Sequence, residues 1–235
     1  MFIGREKELK ALNNLYTSDK FEFAVIYGRR RVGKTALINE FIGDKKSIYF
    51  MGVESNAKQN LENFSKSIIE YNSGIVADTS FQSFQSALEY VFELSRNERI
   101  ILVIDEYPYV ARSSKSLAST LQMLIDKYKD TSKVMIILCG SSMSYMEDNV
   151  LAYKAPLYGR RTAQMKILPF DFEETCRYFK EGIEPCFKKL GQRVLPIGGT
   201  HDLVLYEELS LQRVTAVDEA NFIVCTGPDL ERGSL

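Results

Sequence analysis

The chain of 235 residues has 45% hydrophobic and 26% charged residues, an ordinary globular composition that excludes disordered and fibrous classes. Its 30 lysines and arginines almost balance 31 aspartates and glutamates, so a formal net charge of −1 gives no global basicity that would favour nucleic acid. A local basic surface remains open, because binding depends on where charges cluster.

Apolar stretches alternate with amphipathic ones along the chain, beginning with a helix that carries Leu9, Leu12 and Tyr16 on one face. The predicted strands are residues 21–27, 47–52, 100–104, 134–138 and 164–168. Helices are predicted between these strands at residues 34–42 and 143–151. Three more are predicted from their apolar faces, which are Leu61, Phe64, Ile68 and Tyr71; Phe81, Phe84, Leu88 and Val91; and Leu117, Leu121, Leu124 and Tyr128. This alternation predicts an α/β fold, a parallel sheet with helices on both faces, in which ligands bind beyond the carboxyl ends of the strands.

Pro169 is the predicted boundary between a core domain, residues 1–168, and a short C-terminal segment, residues 169–235. Residues 170–180 read as a helix, and the glycine-containing stretch from 191 to 235 gives no assignable element. Cys139, Cys176, Cys186 and Cys225 form no CxxC pair, and His201 is the single histidine, so neither a zinc site nor a disulfide framework is indicated. Reduced thiols, without an apolar run of signal-peptide or membrane-spanning length, predict a cytoplasmic protein with no membrane association.

The stretch GRRRVGKT at 28–35 fits the phosphate-binding pattern GxxxxGK[ST] between a predicted strand and a predicted helix. Glycines at 28 and 33 let backbone N–H groups turn inward around a phosphate chain, and the helix directs its positive dipole end to the same place. Lys34 adds a charge for the β and γ phosphates, and the Thr35 hydroxyl can sit on a bridging magnesium ion. The predicted nucleotide-binding residues are Gly28, Arg29, Arg30, Arg31, Val32, Gly33, Lys34, Thr35 and Ala36.

The apolar run 100–104 ends abruptly in Asp105 and Glu106. An aspartate in this position can hold the magnesium ion through its water shell, opposite Thr35. Glu106, one residue further on, can orient and deprotonate a water that attacks the γ phosphate. The alternative is that the two carboxylates simply begin an exposed turn.

Three further residues are candidates for catalysis. Ser141 follows the predicted strand 134–138 and could contact the γ phosphate or the water, although a local turn bond to the backbone fits its hydroxyl nearly as well. Arg160 and Arg161 could supply charge to the transition state, within the chain or to a neighbouring subunit, but surface arginines need no such role. The guanidinium groups at 29–31 could touch phosphates, a partner's carboxylates or nucleic acid.

Five segments together resemble the archaeal-type ATPase family of the AAA+/STAND branch of P-loop NTPases: FIGRE at 2–6, GRRRVGKT at 28–35, LVIDEYPY at 102–109, CGSS at 139–142 and PLYGRR at 156–161. The resemblance covers about residues 1–180. It implies a three-layer sandwich of the additional-strand catalytic glutamate type, with sheet order 5-1-4-3-2, ATP and Mg²⁺ as ligands and Glu106 as the base. It also implies that residues 4–6 lie near the adenine and ribose, and that Ser141 occupies the first sensor position.

Relatives of this kind usually continue through a helical lid, a winged helix and often a nuclease-like domain. Residues from about 182 onward do not resemble that lid, so we expect a partial or atypical lid segment, truncated or frame-shifted, with hydrolysis weak for that reason. The residues at 231–235 resemble vector-derived sequence.

The leading hypothesis is therefore a magnesium-dependent ATPase that hydrolyses ATP to ADP and phosphate and acts as a nucleotide switch, alone, as a homo-oligomer or with a protein partner. The alternative is a nucleotide-gated module that binds protein or DNA with negligible hydrolysis; contact with DNA rests on family analogy only. A small-molecule kinase shares the loop, but the Asp105-Glu106 pair fits it less well. A GTPase is disfavoured because the sequence has no Asn-Lys-x-Asp motif.

Overall fold

The computed structural model describes residues 2–73 and 79–179, and the backbone of four further strands between 193 and 224. Contacts between Cα atoms divide the chain into two compact units. One is Glu6–Ile167, and the other combines Met1–Arg5 with Leu168–Leu235. Cys186, His201 and Cys225 lie outside the described residues.

The unit Glu6–Ile167 is built on a five-stranded parallel sheet. The strands are β1 Glu22–Tyr27, β2 Ser47–Met51, β3 Ile101–Asp105, β4 Met135–Gly140 and β5 Ala163–Lys166. Their order in the sheet is β2-β3-β4-β1-β5, which is the predicted order 5-1-4-3-2, so the expected α/β fold class is confirmed. Every residue of the central strands β1, β3 and β4 is buried, as expected for strands covered on both faces.

Helices cover this sheet on both faces. Alternate strand residues, among them Val25, Leu102 and Ile136, pack into one large core with residues of the helices that lie between positions 57 and 128. The intervening strand residues point to the opposite face, because side chains alternate along a strand. The helices of this unit are α1 Glu6–Thr17, α2 Lys34–Ile42, α3 Ala57–Ser73, α4 Phe84–Leu94, α5 Tyr107–Ser113, α6 Leu117–Tyr128 and α7 Met143–Met146.

The helix predictions are correct in their apolar faces and differ in some boundaries. Residues 34–42 form α2 as predicted, and Gly43 follows it with a φ of +41°. Phe81 precedes α4 instead of belonging to it, because Ser83 caps that helix through a reciprocal bond pair with Ser86. The predicted helix 143–151 divides into α7 and a π-helical turn, Glu147–Leu151.

The strand predictions differ from the structure mainly at the carboxyl ends. β3 extends through Asp105 because Met51 of β2 pairs with it and the Gly52 N–H donates to its carbonyl at 2.8 Å. β4 extends through Gly140, which pairs with Tyr27. Backbone pairing with a neighbouring strand therefore continues one or two residues beyond the apolar run, and it carries the polar residues to the edge of the sheet.

The second unit contains α8, Phe172–Arg177, which Asp171 caps through a bond pair with Glu174. That cap explains why the helix predicted from residue 170 begins two residues later; residue 180, its predicted end, lies outside the described part of the chain. Within the same unit, Arg5 donates to the carbonyl of Leu168, and its guanidinium lies 4.6 Å from the ring centre of Phe170.

Four antiparallel strands follow, each paired with the next in chain order, in a region where no element was predicted. They are β6 Arg193–Ile197, β7 Asp202–Glu207, β8 Ser210–Asp218 and β9 Asn221–Val224. The assignment of this segment to an atypical lid stays a prediction. Among the described helices, none is both long and apolar enough to cross a membrane.

Candidate nucleotide site

The loop between β1 and α2 has the backbone that a phosphate cradle needs. Arg31 and Gly33 adopt positive φ angles of 65° and 84°, and Gly33 immediately precedes the first residue of α2. A Cβ atom at Gly28 would lie 2.3 Å from the carbonyl oxygen of Ile167, so only glycine fits there. The loop thus presents consecutive N–H groups together with the amino end of a nine-residue helix.

Lys34 lies beneath this loop and is 6% exposed. Its Nζ donates to the carbonyl of Arg29 at 2.8 Å, so the ammonium group is held within the loop itself. Flexible rotation of the lysine stem gives this point charge the reach to a phosphate chain in the cradle.

Asp105 is nearly fully buried, at 2% exposure, at the carboxyl end of β3. Its Oδ2 accepts from the Thr35 hydroxyl at 3.0 Å and from the Tyr49 hydroxyl at 2.6 Å, while its Oδ1 accepts from the Glu106 N–H at 2.8 Å. The structure therefore brings together Thr35 and Asp105, the two residues predicted for the metal, although they are 70 positions apart.

The carboxylate of Glu106 turns away from Asp105 toward the next strand. Glu106 has a φ of 46°, an unusual left-handed conformation for a residue with a side chain. Its Oε2 accepts from the Ser141 hydroxyl at 3.0 Å and from the Ser141 N–H at 3.3 Å. The predicted base and the predicted sensor residue thus contact each other directly at the ends of β3 and β4.

The three arginines of the loop are exposed. Arg30 donates to the Tyr109 hydroxyl at 2.8 Å, which ties the loop to α5 directly behind Glu106. Val32 is half-buried, and Ala36 lies exposed in the first turn of α2. The predicted role of these positions depends on their backbone N–H groups.

Arg160 and Arg161 do not join this site within the chain. Both precede β5, whose residue Ala163 pairs with Ala24 in the first half of β1, and the Thr162 N–H donates to the carbonyl of Phe23. They therefore lie at the amino edge of the sheet, while the phosphate loop follows the carboxyl end of β1. Six strand residues at about 3.3 Å each separate the two edges by roughly 20 Å.

At that edge Arg160 forms a bidentate pair with Asp126 of α6, with N–O distances of 3.0 and 2.6 Å. The guanidinium lowers the pKa of the Asp126 carboxyl, chiefly through this hydrogen bond. Arg161 donates to the carbonyl of Leu151 at 3.4 Å and stacks over the Tyr158 ring at 5.3 Å. The contacts of Arg160 within the chain are thus structural.

Two residues near Asp105 were not predicted from the sequence. Tyr49 of β2 donates to its carboxylate, and burial, followed by the Asp105 interaction, raises the pKa of this phenol. Burial, followed by the nearby Asp105 charge, likewise raises the pKa of the Cys139 thiol. A signal for Tyr49 existed in the predicted strand order, which sets β2 beside the strand that ends in Asp105.

The donor set fits magnesium bound together with phosphates. No group of three or more His, Cys, Asp or Glu side chains that could hold a metal occurs within residues 2–73 and 79–179. Magnesium in nucleotide sites does not require one, because one or two protein oxygens, waters and phosphate oxygens complete its octahedron. Thr35 and Asp105 are such oxygens. The placement of residues 4–6 near the base remains a prediction, since Arg5 and Glu6 fall in different units.

The strand order, the loop and the carboxylates at the end of β3 are those of a P-loop NTPase. A family model described as an ATPase domain predominantly from Archaea matches residues 2–196 of the chain. The protein therefore belongs to this archaeal ATPase family.

Two proteins of Methanocaldococcus jannaschii are similar in sequence to this chain. Protein MJECL04 is 37% identical over 183 residues, which are 78% of this chain and 39% of that protein. The ATP-binding protein MJ0423 is 46% identical over 46 residues, which are 20% of this chain and 78% of that protein.

Solved structures show the same fold. The Walker-type ATPase PABY2304 of Pyrococcus abyssi matches with a TM-score of 0.60 and 20% identity over 84% of this chain and 60% of that one. The Aeropyrum pernix ORC1 protein, solved in complex with DNA, matches with a TM-score of 0.56 and 18% identity over 77% of this chain and 49% of that one. This chain thus spans less than two thirds of the length of MJECL04 and of both structures.

Proposed function

We propose that the protein is a magnesium-dependent ATPase that hydrolyses ATP to ADP and phosphate and uses the bound nucleotide as a switch. The observation that carries the proposal is the 3.0 Å hydrogen bond from Thr35 to Asp105. It sets a loop hydroxyl and a strand-end carboxylate at one position, with a second carboxylate, Glu106, on the next residue. A phosphate loop alone would support binding; this arrangement supports hydrolysis as well.

In this proposal each residue has a separate task. The N–H groups of residues 28–36 and the Lys34 ammonium hold the phosphate chain. Thr35 and Asp105 would hold the magnesium, which would neutralise phosphate charge when bound. Glu106 accepts the proton of a water whose oxygen bonds to the γ phosphorus, while the bond from that phosphorus to the bridging oxygen breaks and ADP leaves.

The first test is thermal unfolding with magnesium and ATP, ADP or GTP, followed by phosphate release from the same samples. A ligand at about 100 times its dissociation constant adds roughly 2.7 kcal/mol to the free energy of unfolding, which moves the midpoint by several degrees. The proposal predicts a shift with ATP and ADP, and phosphate release that depends on magnesium. Absence of any shift would contradict it.

The second candidate is a nucleotide-gated binding module with negligible hydrolysis. The observation that favours it is the contact of Glu106 Oε2 with both the hydroxyl and the N–H of Ser141, which engages one of the two carboxylate oxygens that could take a proton from water. A protein of this kind would retain ATP through purification and release no phosphate over hours. Stabilisation by ATP without phosphate release would therefore select this candidate.

Partners of the switch are part of the proposal. Since Arg160 and Arg161 lie at the far edge of the sheet, their contribution of charge to a transition state would have to be made to a second copy of the chain. Hydrolysis per molecule would then rise with protein concentration, and the rise would disappear in an Arg161→Ala variant.

DNA is a candidate partner by fold analogy with the Aeropyrum pernix ORC1 complex. Duplex binding that weakens steeply with salt would support this partner, and salt-independent binding or none would count against it.

A further inference from the structure

Tyr49 lies on β2, beside the strand that carries Asp105. Its backbone pairs with Val103, and its side chain reaches toward the carboxyl end of β3, where its hydroxyl donates to Asp105 Oδ2 at 2.6 Å. Neither the phosphate loop nor the residues after β3 supplies this contact. It comes from a strand whose sequence carries no nucleotide-binding pattern.

The hydrogen bonds of Asp105 distinguish its two carboxylate oxygens. A carboxylate has about four lone-pair positions, two on each oxygen. The hydroxyls of Tyr49 and Thr35 use both positions on Oδ2, and the Glu106 N–H donates to Oδ1. The Cys139 thiol, a weak donor, also hydrogen-bonds to this carboxylate. Oδ1 is therefore the oxygen that can accept a hydrogen bond from a water in the shell of a magnesium ion.

We propose that Tyr49 is a positioning residue for the magnesium of MgATP, acting by fixing the orientation of the Asp105 carboxylate. The inference rests on the proposed ATPase function. Without the Tyr49 hydroxyl, a lone pair on Oδ2 is left open in a buried site, and the carboxylate can rotate away from the orientation that presents Oδ1. Removing a group that hydrogen-bonds to a metal ligand and orients it typically lowers metal affinity by about 10- to 100-fold.

The test is a magnesium titration of the binding of a fluorescent ATP analogue to the full chain, for the wild type and for Tyr49→Phe, which removes only the hydroxyl. We expect the half-saturating magnesium concentration to rise by about tenfold. Affinity for the analogue in EDTA should not change, because the Tyr49 hydroxyl acts on the carboxylate assigned to the magnesium, whereas the phosphates are assigned to Lys34 and the loop N–H groups. This split between metal-dependent and metal-free affinity is a result that a purely structural role would not give.

A matched control exists in Tyr71, whose hydroxyl also donates to a carboxylate, Glu98 Oε1, at 3.1 Å, away from the phosphate loop. Tyr71→Phe should titrate like the wild type. In an Asp105→Asn background, Tyr49→Phe should add no more than about a twofold change, because the effect passes through that carboxylate.

Three outcomes would overturn the inference. The first is a half-saturating magnesium concentration for Tyr49→Phe within about twofold of the wild-type value, a difference no larger than the error of comparing two variants. The second is an equal loss of affinity in EDTA, as expected if the variant merely disturbs the fold. The third is magnesium-independent binding of the analogue by the wild type. This result would contradict the proposed function as well, and it differs from the first two because it is seen in the wild type alone.

Discussion

The Ser141 hydroxyl donates a 3.0 Å hydrogen bond to Oε2 of Glu106, the carboxylate to which we assign proton abstraction. The contact joins the ends of two adjacent strands, β3 and β4, so the orientation of Glu106 depends on the strand that carries Ser141. A nucleotide that moves Ser141 would therefore reorient the base, which gives the proposed switch a physical link to hydrolysis.

Replacing Ser141 by alanine tests that link. The N–H of residue 141 still donates at 3.3 Å, so Glu106 is loosened but not released. We expect the rate of phosphate release at saturating ATP to fall about tenfold, a fraction of what a complete loss of general base catalysis costs, with little change in the dissociation constant of ATP. Ser142→Ala is the control, since the Ser142 side chain makes no capping bond to α7. Equal rates in the two variants would show that the Ser141 hydroxyl has no part in turnover.

Lys34→Ala should abolish most of the stabilisation by ATP. The substitution removes both the charge beneath the loop and the hydrogen bond to the Arg29 carbonyl, leaving that acceptor without its donor. Calorimetry with ATP should show a much larger dissociation constant, and thermal unfolding with ATP should show little or no shift. Arg29→Ala, an exposed side chain in the same loop, is expected to keep both. A Lys34→Ala protein that binds ATP like the wild type would exclude the assigned site.

The hydrogen bond between Arg30 and Tyr109 should couple the loop to α5 only weakly. Both groups meet at the surface, where such a bond contributes about 0.5–1.5 kcal/mol to the free energy of unfolding at most. Urea unfolding of Arg30→Ala, Tyr109→Phe and the double variant should give a coupling free energy in that range. A coupling of zero would mean that the bond does not persist in solution.

Arg160→Gln should lower stability in a way that depends on pH. The Asp126 pKa is lowered in the folded protein, so the stabilisation by Arg160 is fully present above the ordinary aspartate value of about 4 and is lost as the pH falls through the lowered value. Because the pair is partly exposed, we expect a difference of up to about 1 kcal/mol between wild type and variant at pH 7. Urea unfolding at pH 7 and near pH 3 measures it, and a difference that grows toward acid would contradict the assignment.

The sequence was sufficient for the parts of the site that are local or follow directly after a strand. The phosphate loop is one contiguous motif, and Asp105, Glu106 and Ser141 each lie at the carboxyl end of a buried strand, so a parallel sheet brings them to one edge. The same rule could have placed Arg160 and Arg161, because residues that precede a strand lie at the opposite edge.

The contact of Tyr49 with Asp105 could not be predicted in this way. The predicted strand order sets β2 beside β3, but the role of Tyr49 also depends on a side-chain direction that its pairing with Val103 fixes. The sequence of β2 does not indicate that direction, because a tyrosine between Ile48 and Phe50 reads as one more apolar strand residue. The sequence therefore predicts residues that belong to a motif, but not a residue whose role depends on the register between two neighbouring strands.

The most direct measurement for the whole account compares ATP binding and single-turnover phosphate release in the wild type and in Glu106→Gln. Glutamine keeps the size of the side chain and its acceptor for Ser141 but cannot take a proton from water. The account predicts that the variant binds magnesium and ATP with an affinity close to that of the wild type and releases phosphate at least about 100-fold more slowly. Phosphate release at the wild-type rate would remove Glu106 as the base and, with it, the proposed mechanism of hydrolysis.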